Sequence, residues 1–313
     1  MALTRTSFQM LRYSTKHFSH KKIAAQNRLA IRLLSSTYQR QILTDEQVEA
    51  YQRNSYVVLR DLLTPDEKKL FTSAINEIEK WPVSDDKWFT YYETNSGKRR
   101  LSRLEALYEH HAVTKKMVEG KLGQAASDLL GEDAVVLKDK INFKYPGGIG
   151  YNAHQDGLGY EDFGQYFHMA ALVPADPMTL ENGCLKIVPG KWGKLPFLPL
   201  DETGGDIKEE IAKNFKWDPV ICDAGTVVMF NSYVPHKSDV NQTNQSRRAL
   251  YITWNGISLG DKRDEFYSVR RKLYPSDHLR DPNKDYSEGI LLYKEHILEM
   301  ANSRMPKIER ENY

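Results

Sequence analysis

Acidic residues are missing from the first 44 positions of this 313-residue chain. Asp45 is the first acid, and eight bases precede it: Arg5, Arg12, Lys16, Lys21, Lys22, Arg28, Arg32 and Arg40. The whole chain has a formal charge of +2, so without those eight the remainder stands at −6. A mildly acidic body excludes a general nucleic-acid surface, and no nucleic-acid partner is expected. Cysteine is scarce as well. Cys184 and Cys222 are the only two, which excludes a disulfide framework and a CxxC zinc site and leaves both thiols to pack as small apolar groups. No apolar run approaches the roughly 18 to 20 residues that span a bilayer, so no transmembrane segment is expected. There is no internal repeat and no long linker.

The acid-free leader is rich in Ser and Thr, the composition of an organelle-import presequence. On a helical wheel Lys21, Arg28 and Arg32 cluster on one face, with Ile23, Ala30 and Leu34 opposite. Such a basic amphipathic helix fits the mitochondrial import machinery, and Arg32-Leu33-Leu34-Ser35 resembles a matrix-peptidase cleavage site. Residues 1–40 therefore read as a mitochondrial presequence, with a plain basic tail as the alternative.

At 40% apolar and 11% aromatic, the remainder can build a core. Thr44 followed by Gln47 reads as a capping box opening a helix. "SYVVL" reads as a strand. Thr64-Pro65-Asp66-Glu67 starts a second helix running to about Lys80, and a third is expected over Thr114–Leu130. Short strands follow: "AVVLKDKINFKY", "HMAALVP", "CLKIVPG", "GTVVMFN" and "RRALYITWN". Helices first and strands later predict one α+β domain over residues 41–313, its sheets rolled into a barrel or sandwich. A last helix is expected near Gly289–Ser303.

The chemistry starts at "YNAHQDG", Tyr151 to Gly157. On extended backbone, residues i and i+2 point the same way, so His154 and Asp156 can reach one ion. His236, 82 residues on and directly after an apolar strand, is the candidate third ligand. Two imidazoles and one carboxylate on one face of a metal suit non-haem Fe(II) and leave positions open. Arg247 leads into the strand after His236, and a guanidinium can hold a carboxylate bidentately, as the far end of 2-oxoglutarate requires. Arg248 is adjacent, and strand alternation allows only one of the two to face inward.

"HQD", "ENGCLKIVPG", "AGTVVMFNSYVPHKS" and "RRALYITWN" resemble, in order and spacing, the Fe(II)/2-oxoglutarate oxygenases of the phytanoyl-CoA dioxygenase family. The resemblance covers roughly Leu43 to Gly256. It implies a double-stranded β-helix, or cupin-like jelly roll, with flanking helices. It also implies His154, Asp156 and His236 as iron ligands, Arg247 as the 2-oxoglutarate anchor and Ser238 as its assistant. The cofactors implied are Fe(II), 2-oxoglutarate and O2, with succinate and CO2 released. Asp156 stands where related halogenases carry a small residue, which favours hydroxylation.

The substrate is read from weaker signals. Lys138, Lys140, Asn142 and Lys144 share one face of a strand, which either lines the barrel or meets water. Arg103 and Glu105, in the charged run "SGKRRLSRLE", share another strand face, although such a run is ordinarily a solvated loop. Lys140, Asn142, Arg103 and Glu105 are the candidate substrate contacts. The aromatics of Trp88–Glu93 either cage an ammonium group or pack. His168 reads as a buried, hydrogen-bonded histidine rather than a ligand, and His110 and His111 as the exposed start of a helix. In texture "KINFKYPGG" is closer to family members acting on small polar molecules, such as 2-aminoethylphosphonate hydroxylases, than to the acyl-CoA enzyme. A small zwitterionic or phosphonate-like substrate leads, with a fatty acyl-CoA or other lipid-derived acid as the alternative. A non-catalytic metal-binding barrel and a zinc hydrolase are the alternatives of other classes. Fusing residues 1–40 to a fluorescent reporter should direct it to mitochondria; a cytosolic signal would discard the presequence.

Overall fold

Two threonines open the first two described helices. The Thr44 hydroxyl accepts from the Gln47 backbone while the Gln47 side chain accepts from the Thr44 N–H, opening helix α1, Asp45–Asn54. Ser55, in the left-handed region at φ 60°, ends it and turns the chain into strand β1, Tyr56–Leu59. Thr64 and Glu67 repeat the box at helix α2, Pro65–Ile78, with proline in its first turn. The computed structural model describes residues 38–95, 97–160, 167–193, 197–202 and 205–281, with 283 and 286. Residues 1–37 and the helix expected near Gly289–Ser303 lie outside the described residues. The chain divides into two units between Tyr38 and Gln39, and every described element belongs to the second. Among the described residues no helix is long and apolar enough to cross a membrane.

The charged run is a strand, as a shared face for Arg103 and Glu105 requires: strand β2, Phe89–Asn95, pairs antiparallel with strand β3, Lys98–Glu105. Arginine is planar and weakly hydrated, so it can lie on aromatic rings instead of in water. Arg99 sits 3.8 Å from the Tyr92 ring centre and Arg103 5.0 Å from that of Tyr91. The long helix over Thr114–Leu130 is broken into α3, Ala112–Met117, and α4, Gly123–Leu130. A wide turn joins them at Gly120, whose φ −97° and ψ −119° leave the helical region. Glycine is the poorest helix former after proline, and it takes the kink.

The remaining strands are β4 (Ala134–Lys144), β5 (Tyr151–His154), β6 (His168–Pro174) and β7 (Leu185–Ile187). After the short helix α5 (Glu209–Ala212) come β8 (Asp218–Pro219), β9 (Val227–Asn231), β10 (His236–Ser238) and β11 (Arg247–Gly256). They form two antiparallel sheets, ordered β1-β9-β6-β11-β4-β3-β2 and β5-β10-β7-β8. From β4 onward the chain crosses between the sheets at every step except β7 to β8, which pair within the smaller sheet; this is the winding of a jelly roll, and it lays β5 beside β10. The period-2 rule divides each strand of the larger sheet. Ile141, Phe143, Ala171, Leu250 and Ile252 pack on Phe71 and Ile75 of α2 and Val118 and Leu122 of the α3–α4 segment. Alternate residues Ala170, Leu172, Val228 and Ala249 meet Leu185 and Ile187 of the smaller sheet. β6, buried at every position, shows no polar alternation for that reason.

Helix α6, Arg263–Leu273, was not legible in the sequence because it buries only Phe266 and Tyr267. Ion pairs hold it. Arg263 donates to Asp139 at 2.7 Å, and Arg270 to Glu105 at 3.2 Å, both carboxylates being fully buried. Asp139 also accepts from the Leu107 and Tyr108 backbones at 2.7 and 2.9 Å, which ties β4 to the segment before α3. Removing one partner of such a set strands the other. Asp139→Ala should cost about 3–5 kcal/mol in urea denaturation; a loss near zero would mean that this carboxylate is not what fixes β4.

Candidate metal centre

β5 and β10 are antiparallel neighbours, and their register sets His154 directly opposite His236. The two imidazole centres are 4.1 Å apart. Gln155 is extended, at φ −125° and ψ 123°, so the alternation of β5 runs one step past the strand's end and Asp156 emerges on the His154 side. Gln155 itself points the other way. It donates to the Tyr233 carbonyl at 2.5 Å and accepts from the Leu198 N–H at 2.8 Å. Gly157 follows because a side chain there would collide with Phe197, 2.9 Å from the place a Cβ would take.

Both histidines are oriented by one device. His154 Nδ1 lies 2.7 Å from the Asn152 carbonyl, and His236 Nδ1 3.0 Å from the Val234 carbonyl, each two residues back. A carbonyl can only accept, so Nδ1 carries the proton and Nε2 keeps its lone pair. Those Nε2 atoms face the carboxylate, His154 at 3.6 Å from Asp156 Oδ1 and His236 at 3.8 Å from Oδ2. One donor atom from each of the three residues lies within 4.8 Å of the others. A divalent ion with bonds of about 2.1 Å to nitrogen and oxygen would need these atoms to close by less than about 1 Å. Burial raises the Asp156 pKa, but His236, His154, Lys140 and Lys138 outweigh it and hold the carboxyl down at about 2. Burial, then His154, pushes His236 down to about 4. The cluster offers two imidazole nitrogens and one carboxylate, the donor set that suits Fe(II) with positions left open.

The triad opens into a cavity that Tyr160, Tyr251 and Thr253 also line. Lys138, Lys140 and Asn142 line it, so the polar face of β4 meets the barrel interior and not water. Neither Lys138 nor Lys140 makes a hydrogen bond or salt bridge with a described residue. Their ammonium groups sit 5.7 Å from the Phe266 ring centre and 5.3 Å from that of Tyr251. Burial pushes the Lys138 ammonium down to about 7, against the pull of Glu105. The Asn142 carbonyl oxygen is buried without a hydrogen-bond partner.

Alternation also divides the two arginines. Arg247 is buried at 2% exposure, donates to the Gly183 carbonyl at 2.8 Å, and leaves its Nε without an acceptor. Arg248 turns outward to Asp176 and Glu79, both at 2.8 Å. Ser238 is buried on the same side of β10 as His236, and Lys144 donates to its hydroxyl at 2.8 Å.

Arg103 and Glu105 do not line the cavity. They pair with each other at 3.3 Å on β3, opposite Asn142 and Lys140 of β4. Burial raises the Glu105 pKa, and Arg270, Arg103, Lys138 and Lys140 bring it down to about 2. The aromatics of Trp88–Glu93 pack rather than cage: Trp88 on Trp81, Phe89 on Tyr267, Tyr91 on Tyr274. His168 is fully buried against Tyr160, outside the triad, and burial pushes it down to about 3. His110 is exposed, and His111 caps α3 by accepting from the Val113 N–H. Both cysteines are free and buried. Tyr251 and Thr253 line the cavity and went unread, although counting by twos from Arg247 along β11 reaches both.

Comparison with known proteins agrees with this geometry. The family model described as phytanoyl-CoA dioxygenase (PhyH) matches residues 51–249. A 2-aminoethylphosphonate dioxygenase of an uncultured bacterium, HF130_AEPn_1, is 36% identical over 253 residues, covering 80% of this chain and 96% of its own. A methylphosphonate hydroxylase of Gimesia maris is 37% identical over 233 residues, covering 74% and 88%. The crystal structure of EctD from S. alaskensis with 2-oxoglutarate and 5-hydroxyectoine shares the fold, at a TM-score of 0.59 and 20% identity, over 69% of this chain and 77% of that one.

If the three side chains hold one ion, His236→Ala and Asp156→Ala should each lose stoichiometric Fe(II) in anaerobic calorimetry while keeping the wild-type circular dichroism. Undiminished binding in either variant would exclude that residue as a ligand.

Proposed function

The chain belongs to the phytanoyl-CoA dioxygenase family, and on that premise we propose that it hydroxylates a small phosphonate or similar zwitterionic metabolite. It is an Fe(II)- and 2-oxoglutarate-dependent dioxygenase. In this reading His154, Asp156 and His236 hold the iron, and Arg247 with Ser238 receives the far carboxylate of 2-oxoglutarate. Iron and 2-oxoglutarate together supply the oxidising chemistry, in which O2 is consumed, succinate and CO2 are released and a substrate C–H becomes C–OH. The residues fit this pair. The donor set is two nitrogens and one oxygen on one side, and Arg247 Nε, buried without an acceptor, lacks an anion.

One observation carries the substrate class. Lys138 and Lys140 face the triad's cavity with no acidic partner bonded to either among the described residues. Two lysines beside a metal centre suit a compact anion such as a phosphonate, which offers three acceptor oxygens. Asn142 orients that group, and Tyr160 and Tyr251 add aromatic walls to the cavity. The two relatives whose names specify phosphonate substrates support this choice. The basic, acid-free composition of residues 1–40 supports a mitochondrial leader ahead of a catalytic domain over 41–313.

The experiment is succinate release in air from iron-loaded protein given 2-oxoglutarate and, in separate arms, 2-aminoethylphosphonate, methylphosphonate or a fatty acyl-CoA. Release that depends on a phosphonate is expected, with Lys140→Met raising its KM about tenfold or more. Release with the acyl-CoA alone would replace this substrate class by the lipid one.

A further inference from the structure

Glu105 is the last residue of β3, and the β3–β4 register sets it opposite Lys140. Residues directly opposite in an antiparallel pair share a face, and diagonal neighbours are within reach of a long side chain. Lys138 is that diagonal neighbour. Glu105 is fully buried, which an acid tolerates when its oxygens are paired. Arg103 on β3 and Arg270 on α6 both approach the same oxygen, Oε1, at 3.3 and 3.2 Å. The other oxygen, Oε2, is buried without a hydrogen-bond partner among the described residues. Lys138 makes no hydrogen bond or salt bridge with a described residue either, and its Nζ lies 5.7 Å from the Phe266 ring centre. A bare acceptor and a bare donor of opposite charge are therefore neighbours on one sheet face.

Lys138 lines the cavity and Glu105 does not, so the carboxylate acts on the cavity through the lysine. The charges facing Lys138 are Glu105 and Arg103 from β3, Lys140 from β4, Arg270 from α6 and Asp156 from the metal centre. Three of these are cations. Of the two anions, Asp156 is committed to the metal in the reading above, which leaves Glu105 to hold the lysine. Burial pushes Lys138 down to about 7, and Glu105 is the largest pull upward. We infer that Glu105 is a positioning residue for the substrate: its free oxygen is the counter-ion that holds the Lys138 ammonium at the cavity wall, ready for an anion. This rests on the phosphonate reading above. It returns Glu105 to the site as a residue that acts through Lys138 and does not touch the substrate. Because Arg270 binds the same carboxylate, α6 joins the set that supports the grip.

A carboxylate that only anchored α6 through its arginines would change stability and leave the pH dependence of anion binding where it was. Full-length protein holding Fe(II) and 2-oxoglutarate is titrated anaerobically with methylphosphonate and with 2-aminoethylphosphonate across the neutral pH range. The weak visible absorption of the chelate is the readout. A protonated Lys138 grips the anion, so affinity is present below the lysine's pKa and falls as pH rises through it. Without its counter-ion the lysine deprotonates at lower pH. Glu105→Gln should therefore move that fall down by about one pH unit or more and weaken binding at neutral pH about tenfold. Glu105→Asp, which keeps the charge, should restore most of the profile. The ligands' own titration is common to all variants and cancels. Lys138→Met leaves the arginine pairs of Glu105 intact and should bind about tenfold more weakly, with no further loss on adding Glu105→Gln. A Glu105→Gln profile identical to wild type, or losses that simply add in the double variant, overturn the inference. So does undiminished binding by Lys138→Met, which decides the matter even where Glu105→Gln does not fold. If neither phosphonate perturbs the wild-type chelate, the phosphonate reading itself falls and takes this inference with it.

Discussion

The antiparallel pairing of β5 with β10 is the constraint on which the site depends. It brings two histidines 82 residues apart into direct opposition. Each imidazole is then locked by the backbone carbonyl two residues behind it. Because the carbonyls come from the same strand and turn as the histidines, ring orientation is set by local geometry and does not need a distant carboxylate. The jelly-roll winding supplies the pairing, and the helices on the outer face of the larger sheet stabilise the winding by burying its other side.

β4 illustrates how one strand serves two environments. Its helix-facing positions carry Asp139, Ile141 and Phe143, which lock it to α2, α6 and the segment before α3. Its inward positions carry Lys138, Lys140, Asn142 and Lys144, one residue out of phase. Cations along that inner face favour the anionic form of Asp156 and attract anionic ligands. Glu105 partly balances them from β3, where Arg103 and Arg270 keep it charged. The result is an electropositive cavity in which Asp156 is the single acidic side chain among the described residues of the lining. That polarity suits two anionic molecules, the co-substrate and the substrate, in one small space.

Much of this was legible in the residues because it rests on short-range rules. The capping boxes at Thr44 and Thr64 depend on three-residue spacing, and the His154–Asp156 reach on a two-residue one. The distinction between Arg247 and Arg248 needed the register of β11, which alternation alone leaves open by one residue. What escaped depends on tertiary partners. The aromatic partners of the β3 arginines, the rings of β2, cannot be read from the charged run itself. α6 looks like a solvated charged segment until Arg263 and Arg270 meet buried carboxylates. Lys144 looked like one more polar residue on a strand face, and only its contact with Ser238 separates it from Lys138 and Lys140.

The most direct test of the metal centre is diffraction from anaerobically grown Fe(II) crystals, with data collected on both sides of the iron absorption edge. One anomalous peak is expected about 2.0–2.3 Å from His154 Nε2, His236 Nε2 and an Asp156 oxygen. A peak bonded through either Nδ1, or lying away from any of these three side chains, would contradict the arrangement described.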